Sequence, residues 1–297
     1  MRILVLGGSG QLGSELRTLA LPPGVTLTAP PRSAIDLSDA AATERLIAAE
    51  PWDVAINAAG YTHVDRAERE EALAFAVNAE AAGRLAAATG SRGIPLVHVS
   101  TDYVFDGRKG APYVESDAAA PLNAYGRSKL AGERQVAAAN PRHVILRTAW
   151  LFSAQGNNFV RTILRLAQER ERLTVVADQI GSPTAARDLA EACLAIALRC
   201  AAAAGRAPYG TYHFAGAEAA TWFDLATAIV ERARGRLTRL PEVEPTTTAH
   251  YGSPTVRPAD SRLDCSAIVQ AFGIEPPSWR PALAATVDRL LAQPRSP

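Results

Sequence analysis

Thr101, Tyr125 and Lys129 are the residues of this chain whose types and spacing best suit chemistry. Tyr125 and Lys129 stand four apart in Tyr125-Gly-Arg-Ser-Lys129, so on a helix they project from one face. A lysine ammonium near a phenol favours the phenolate and draws its pKa from about 10 toward neutrality. Such a tyrosine can pass a proton to or from a sugar or steroid oxygen while hydride moves to or from the carbon beneath it. Thr101, in the Ser100-Thr101 pair that ends an apolar run, supplies a hydroxyl to the same oxygen. A Tyr-x-x-x-Lys pair alone is common; about 24 residues behind a strand-terminal Ser-Thr it is much more specific.

Hydride needs a carrier, and the N-terminus predicts one. The apolar run Arg2–Leu6 reads as a strand buried on both faces, followed by Gly7-Gly-Ser-Gly10-Gln11-Leu12-Gly13. Glycine permits the tight turn, the close approach of a pyrophosphate and close helix–sheet packing. The strand ends at Leu6, which makes Gly7 the first turn glycine and selects Gly7-x-x-Gly10-x-x-Gly13 over Gly8-x-Gly10-x-x-Gly13. No Asp or Glu closes the second strand, where one would bind the ribose 2′-hydroxyl of NAD. Arg32 stands there instead, which predicts NADPH through its 2′-phosphate, the alternative being a solvated arginine and either cofactor, NADH included. Asp36-Leu37 follows where a carboxylate meets the adenine ring, or Asp36 is a turn residue. Asn57-Ala58-Ala59-Gly60-Tyr-Thr62 places small residues beside the cofactor after the third strand. His63 reads as a surface residue and His98 as a core histidine, neither catalytic.

These residues require an alternating scaffold. Helical periodicity runs from Gln11 to Leu19, with a strand at Val25–Ala29 and a helix from an N-cap at Ser38 to Glu50. A strand at Asp53–Ala58, a long helix from about Ala67 to Thr89 and a strand at Ile94–Val99 follow. A Gly-, Asp- and Pro-rich loop (100–121) leads to the helix of Tyr125 and Lys129, and His143–Thr148 is the fifth strand. Such alternation predicts an α/β fold with a doubly wound parallel sheet. Beyond residue 150 it weakens, with helices at Asn157–Glu169 and Thr184–Ala204 and strands at Leu173–Val176 and Thr211–Phe214. Prolines from Pro241 onward suit an irregular substrate lobe. The division is therefore a dinucleotide-binding domain at 1–150 and a mainly substrate-binding lobe at 151–297, some of whose segments return to the sheet.

Bulk properties exclude several classes. The 297 residues carry 31 basic and 30 acidic side chains, a net charge of +1, with no basic tract, so nucleic acid is not an expected partner. The three cysteines are scattered; Cys193 and Cys200, seven apart in an alanine-rich helix, read as packing, and Cys265 as neither metal-bound nor bridged. Few cysteines suit a reducing cytoplasm. No apolar run approaches the ~20 residues that span a bilayer, and the first residues are a strand rather than a signal sequence, so no membrane is expected.

The chain resembles the extended short-chain dehydrogenase/reductases and, among them, the dTDP-4-dehydrorhamnose reductase family, nearly end to end. The resemblance lies in Gly7…Gln11-Leu-Gly13, Asn57-Ala-Ala-Gly-Tyr-Thr-His-Val-Asp-Arg-Ala-Glu68, Ser100-Thr-Asp-Tyr-Val-Phe-Asp-Gly107 and Tyr125…Lys129-Leu-Ala-Gly-Glu133. It continues in Arg147-Thr-Ala-Trp150, Gly156-Asn-Asn-Phe159, Asp178-Gln-Ile-Gly-Ser-Pro-Thr184, Gly210-Thr-Tyr-His213 and Arg257-Pro-Ala-Asp-Ser-Arg-Leu-Asp264. It implies hydride transfer to C4 of dTDP-4-dehydro-β-L-rhamnose, giving dTDP-L-rhamnose for cell-surface polysaccharide. Tyr125 would protonate the C4 oxygen, Lys129 would hold the ribose and tune Tyr125, and Thr101 would bond the substrate oxygen. Gln11, Leu12, Gly13, Asp36, Leu37, Gly60 and Thr62 would line the cofactor, and Asp102, Tyr103 and Trp150 would face the sugar. The 4,6-dehydratases of this superfamily carry Asp-Glu where this chain has Asp102-Tyr103, so their acid/base pair is absent. The resemblance also implies Mg²⁺ held by carboxylates between the subunits of a homodimer. Glu15 takes one such position and Glu191 is a second candidate, but the end Leu290-Leu-Ala-Gln-Pro294 supplies no glutamate. Two other readings remain open: a related nucleotide-sugar epimerase, which would retain its NAD⁺, and a non-catalytic subunit like the β subunit of methionine adenosyltransferase, which would require a protein partner.

Overall fold

The computed structural model describes residues 1–31, 35, 39–203, 205–237 and 239–292. Arg32, Asp36, Leu37 and the predicted N-cap Ser38 lie outside the described residues. The first half of the chain alternates as its apolar periodicity requires. Strand β1 (Arg2–Leu6) turns through the glycines into helix α1 (Gln11–Leu16). The predicted continuation to Leu19 tightens instead into i→i−3 bonds, Thr18 N to Glu15 O at 3.0 Å and Leu19 N to Leu16 O at 3.3 Å. Strand β2 (Thr26–Thr28) and helix α2 (Ala40–Ala49) follow, and the Asp39 carboxylate caps that helix by accepting from Ala42 N. After β3 (Val54–Asn57), the single helix predicted to Thr89 is broken into three: α3 (Val64–Ala67), α4 (Glu71–Phe75) and α5 (Ala81–Gly90), with a π-helical turn at Ala76–Glu80 between the last two. Strand β4 (Leu96–Thr101) then passes through a 3₁₀ turn at Asp102–Val104, and α6 (Ala124–Ala139) leads to β5 (His143–Thr148).

The second half forms short strands β6 (Leu151–Phe152), β7 (Arg172–Val176), β8 (Ile180–Gly181) and β9 (Thr184–Ala185), with α7 (Phe159–Glu169) between the first two. Helix α8 (Ala186–Ala202) and strand β10 (Gly210–His213) return to the first half. Beyond them lie β11 (Ala220–Thr221), α9 (Trp222–Arg232), β12 (Glu242–Thr246), α10 (Thr248–Tyr251), α11 (Ser266–Phe272) and α12 (Trp279–Ala292). The proline-rich stretch is thus more ordered than its composition suggests. Pro245 sits inside β12, which pairs only with β7, and an edge position tolerates the missing N–H.

The main sheet is parallel and six-stranded, in the order β10-β5-β4-β3-β1-β2. Alternate residues serve opposite faces. Ile3, Val5 and Val54 pack with Leu189, Cys193 and Ile196 of α8, while Leu4, Leu6 and Leu96 pack with Ile47, Leu85 and Val136 of α2, α5 and α6. Each such side chain, fully withdrawn from water, contributes about 1.5–3 kcal/mol. Cys193 and Cys200 are buried and unbridged, as packing residues should be. A separate apolar cluster joins α7, α9 and α12 through Ile163, Ile229, Trp279 and Val287. Among the described residues no helix is long and apolar enough to cross a membrane.

Candidate active site

The glycine turn is built against the ends of two other strands. Gly7 has a φ of +84°, and a Cβ placed on it would lie 2.6 Å from Ala59 N. A Cβ on Gly13 would collide with the Gly7 carbonyl, and Gly10 N closes the turn on that same oxygen at 3.0 Å. The predicted register is therefore correct, and the turn leaves bare backbone facing Ala58 and Ala59. The missing side chains let the turn close on the backbone that follows β3 and on its own helix, which is the tight strand–turn–helix cradle a dinucleotide pyrophosphate requires. Leu12 is in the sheet core, 4% exposed, so it can meet a ligand only through its backbone. Gln11 is fixed from the other half of the chain, its Oε1 accepting from Asn158 Nδ2 at 3.0 Å. Gly60 and Thr62 are exposed at the same edge of the sheet, as is His63, while His98 is buried with Nδ1 3.0 Å from Asn57 Nδ2. Burial and the nearby Lys129 hold the His98 imidazole neutral, its pKa well below the usual value.

Thr101, Tyr125 and Lys129 converge beside that cradle. Thr101 ends β4, is 5% exposed, and donates from Oγ1 to Asp102 Oδ1 at 3.0 Å. Helix α6 carries the other two, and three contacts set its approach. The Asn123 side chain caps it at Gly126 N, 2.8 Å, Glu68 accepts from Ala124 N at 2.7 Å, and a Cβ on Gly126 would strike the Tyr103 carbonyl. Tyr125 meets the Tyr103 ring edge-on at 5.8 Å and hydrogen-bonds with Thr101.

The electrostatics correct one expectation. Burial pushes the Tyr125 phenol up to about 12, opposed by the Thr101 hydrogen bond and reinforced by the Asp102 charge. Lys129 does not lower it. Its Nζ donates to Val99 O at 2.6 Å, and burial brings its own pKa down to about 8. Desolvation of the phenol dominates, so Tyr125 holds its proton. Asp102 is 2% exposed, its Oδ2 lacks a hydrogen-bond partner among the described residues, and burial raises its carboxyl to about 7.

Several site residues escaped sequence reasoning. Asn78, in the π-helical turn, accepts from Tyr61 N at 2.8 Å and donates to Tyr61 O at 3.0 Å and to Ser128 Oγ at 2.9 Å. It thereby ties the loop after β3 to the catalytic helix; its only sequence signal was an asparagine inside a helical pattern. Arg257 donates to Asp65 Oδ1 at 2.7 Å and to Ser253 Oγ, pinning the segment before α11 to helix α3. Trp150 follows β5 at a φ of 44°, the one positive value for a non-glycine among the described residues. That conformation costs on the order of 1–3 kcal/mol and needs its surroundings to enforce it. Its indole lies flat on Trp222, ring centroids 3.5 Å apart and planes 6° apart.

The predicted metal site is not assembled. Glu15 is buried and accepts from Ser153 Oγ at 2.8 Å. It lines a cavity of about 550 Å³ together with Asp188, Arg187 and Arg289. Glu191 is paired with Arg187 at 2.8 Å. Mg²⁺ requires oxygen ligands, and the cavity presents the two carboxylates Glu15 and Asp188 beside two guanidinium groups. Among the described residues no group of three or more His, Cys, Asp or Glu is placed to hold a metal. One protomer by itself does not complete the ligand set.

Comparison with known proteins covers nearly the whole chain. Residues 1–292 match the family described as the RmlD substrate binding domain. A dTDP-4-dehydrorhamnose reductase of Burkholderia thailandensis is 46% identical over 301 residues, covering 99% of this chain and 100% of the relative. The crystal structure of a dTDP-4-dehydrorhamnose reductase from Clostridium acetobutylicum superposes with a TM-score of 0.90 at 35% identity, covering 98% of this chain and 99% of the other. That of the Bacillus anthracis reductase, in complex with NADP, gives 0.89 at 34% identity, covering 97% and 99%.

Proposed function

This chain belongs to the RmlD substrate binding domain family, and from that membership we propose that its crevice reduces the C4 carbonyl of dTDP-4-dehydro-β-L-rhamnose to give dTDP-L-rhamnose. The observation that carries the reading is the convergence of Thr101, Tyr125 and Lys129 beside the tight glycine turn that ends β1. NADPH, when bound, would supply the hydride. Gly7, Gly10, Gly13, Ala58, Ala59, Gly60 and Thr62 are the residues we assign to it, and from the sequence alone we assign Arg32 to the 2′-phosphate and Asp36 and Leu37 to the adenine.

Tyr125 donates its phenolic proton to the C4 oxygen as the carbonyl carbon accepts hydride, so one hydride and one proton convert ketone to alcohol. A phenol raised to about 12 keeps that proton until the substrate oxygen becomes basic enough to take it. Thr101 directs its hydroxyl to the same oxygen, and we assign Lys129 to the ribose hydroxyls of the cofactor. Asp102, Tyr103 and Trp150 face the sugar, and the lobe after residue 150 closes the crevice around the nucleotide. No step passes through Mg²⁺. The reaction belongs in the cytoplasm, where reduced nicotinamide and nucleotide sugars are available.

The test is oxidation of NADPH, and separately NADH, by the purified protein with the keto sugar generated in place by a 4,6-dehydratase and a 3,5-epimerase. Oxidation that requires the complete mixture and yields dTDP-L-rhamnose is the expected result. A protein that binds NADPH yet oxidises none would refute the reading.

A further inference from the structure

We propose that Trp222, which the chemistry above does not use, is a positioning residue that holds Trp150 as a wall of the nucleotide-sugar crevice. The inference rests on the reductase reading. Trp150 follows β5 by two residues, and Thr148 of that strand is in register with Thr101, so the indole is joined to the reacting end of the sheet by a short, fixed segment. Its backbone is anchored by Thr184 N, which donates to Trp150 O at 3.2 Å. The ring packs against both the lobe cluster and the cluster under the β4 loop, at the seam between them.

One two-stranded ribbon supplies both neighbours of that ring. Strands β8 and β11 pair Gly181 with Ala220 and Ile180 with Thr221. Gly181 lies against the indole, where any Cβ would collide with Cε2, and Trp222 begins the helix that leaves β11. The register of the ribbon therefore sets where the indole can lie. Trp222 is itself immobilised. Its Nε1 donates to Gln179 Oε1 at 3.2 Å, Gln179 Nε2 donates to Thr248 Oγ1 at 3.0 Å, and Thr221 and Asp224 form a reciprocal cap on its helix. Phe159 tilts onto the Trp222 ring at 4.7 Å. A left-handed Trp150 persists only while this stack opposes its relaxation. Without Trp222, Trp150 returns to an ordinary φ and its indole leaves the wall, while Tyr125 and the glycine cradle stay in place.

The experiment compares Trp222→Leu, which keeps apolar bulk without a ring, with Trp222→Phe, which keeps a stacking ring. Three readouts are taken: steady-state kinetics for the keto sugar and NADPH, binding of dTDP-L-rhamnose and of dTDP by calorimetry, and the circular-dichroism couplet of two stacked indoles. Trp222→Leu is expected to raise the sugar KM and the dTDP-L-rhamnose Kd about tenfold, with the Kd of dTDP, which lacks the sugar, changed less. Its kcat and NADPH KM should stay within about twofold of wild type, and Trp222→Phe should recover most of the affinity. The couplet should vanish in both variants. Unchanged dTDP-L-rhamnose affinity in a folded Trp222→Leu overturns the proposal, as does equal impairment of the two variants or a parallel loss of NADPH binding. If Trp222→Leu does not fold, Trp222→Phe decides alone: near-normal dTDP-L-rhamnose affinity without the couplet supports a stacking role, and a tenfold loss overturns it. Failure of the reductase reading is told apart by the wild type, which would then bind NADPH yet reduce nothing, whatever the Trp222 variants do.

Discussion

Tyr125 shows how burial decides what a catalytic group does. Its phenol is raised to about 12 because desolvation exceeds what the Thr101 hydrogen bond returns, so the residue is poised to give a proton rather than take one. Tyr125→Phe should fold, bind NADPH and lose about 10²–10⁴-fold in kcat, as expected when a general acid is removed. Turnover near wild type would remove Tyr125 from the mechanism. Asp102 makes a second prediction. Burial raises its carboxyl from 3.8 to about 7, so the folded state holds that proton more tightly than the unfolded chain. The resulting stability is fully present below the unfolded pKa and is lost as pH rises through about 7. His213 slopes the other way, because burial lowers its imidazole to about 4 and its contribution is lost as pH falls. Asp102→Asn should therefore gain on wild type between about pH 5 and pH 8, by an amount on the order of a few kcal/mol. Urea unfolding at both pH values measures it, and parallel curves for the two proteins would disprove the assignment.

At the scale of elements, glycines fix how closely helices reach the site. Gly126 lets α6 lie on the Tyr103 carbonyl, and Gly13 lets α1 lie on the Gly7 carbonyl. Gly126→Ala must push α6 outward, at a cost of about 1–3 kcal/mol in stability. Displacing Tyr125 by about an ångström should lower kcat on the order of 10²-fold. Gly13→Ala should instead abolish NADPH binding, read by titration of cofactor fluorescence; normal binding would show that the cradle is not the cofactor site. Gly13 was legible because a strand, a turn and a helix are consecutive in the chain, whereas Gly126 was not, because the carbonyl it meets comes from Tyr103, at the start of the long loop. Nor was the break in the predicted 67–89 helix. The π-helical turn at Ala76–Glu80 lets Asn78 reach Tyr61 and Ser128, and Ser128 is 50 residues away.

At the scale of the molecule, the two halves are interleaved rather than strung in series. The chain leaves the sheet after β5, builds the first part of the lobe, covers one sheet face with α8, adds β10 to the sheet edge and then completes the lobe with α9 and α12. Arg147 of β5 is buried against Glu133 of α6 at 2.7 Å, with its Nη1 3.5 Å from His213 Nε2 of β10. These parts are joined by the chain's own contacts, which predicts independence of divalent ions. Chelation with EDTA should leave both the melting temperature and kcat unchanged, and a fall in either that Mg²⁺ restores would overturn that conclusion.

Whatever depends on near neighbours could be read along the chain. Apolar runs bounded by glycine specify strands buried on both faces, Gly7, Gly10 and Gly13 specify the turn, and a four-residue spacing puts Tyr125 and Lys129 on one side of a helix. The proton affinity of Tyr125, the pairing of Pro-containing β12 with β7, the Trp150–Trp222 stack and the guanidinium groups beside Glu15 arise from the folded arrangement. Each of these depends on groups brought together from distant positions, as Asp65 and Arg257 are across 192 residues. Local spacing carries no record of such contacts, because desolvation and steric enforcement exist only once the chain has closed around the group.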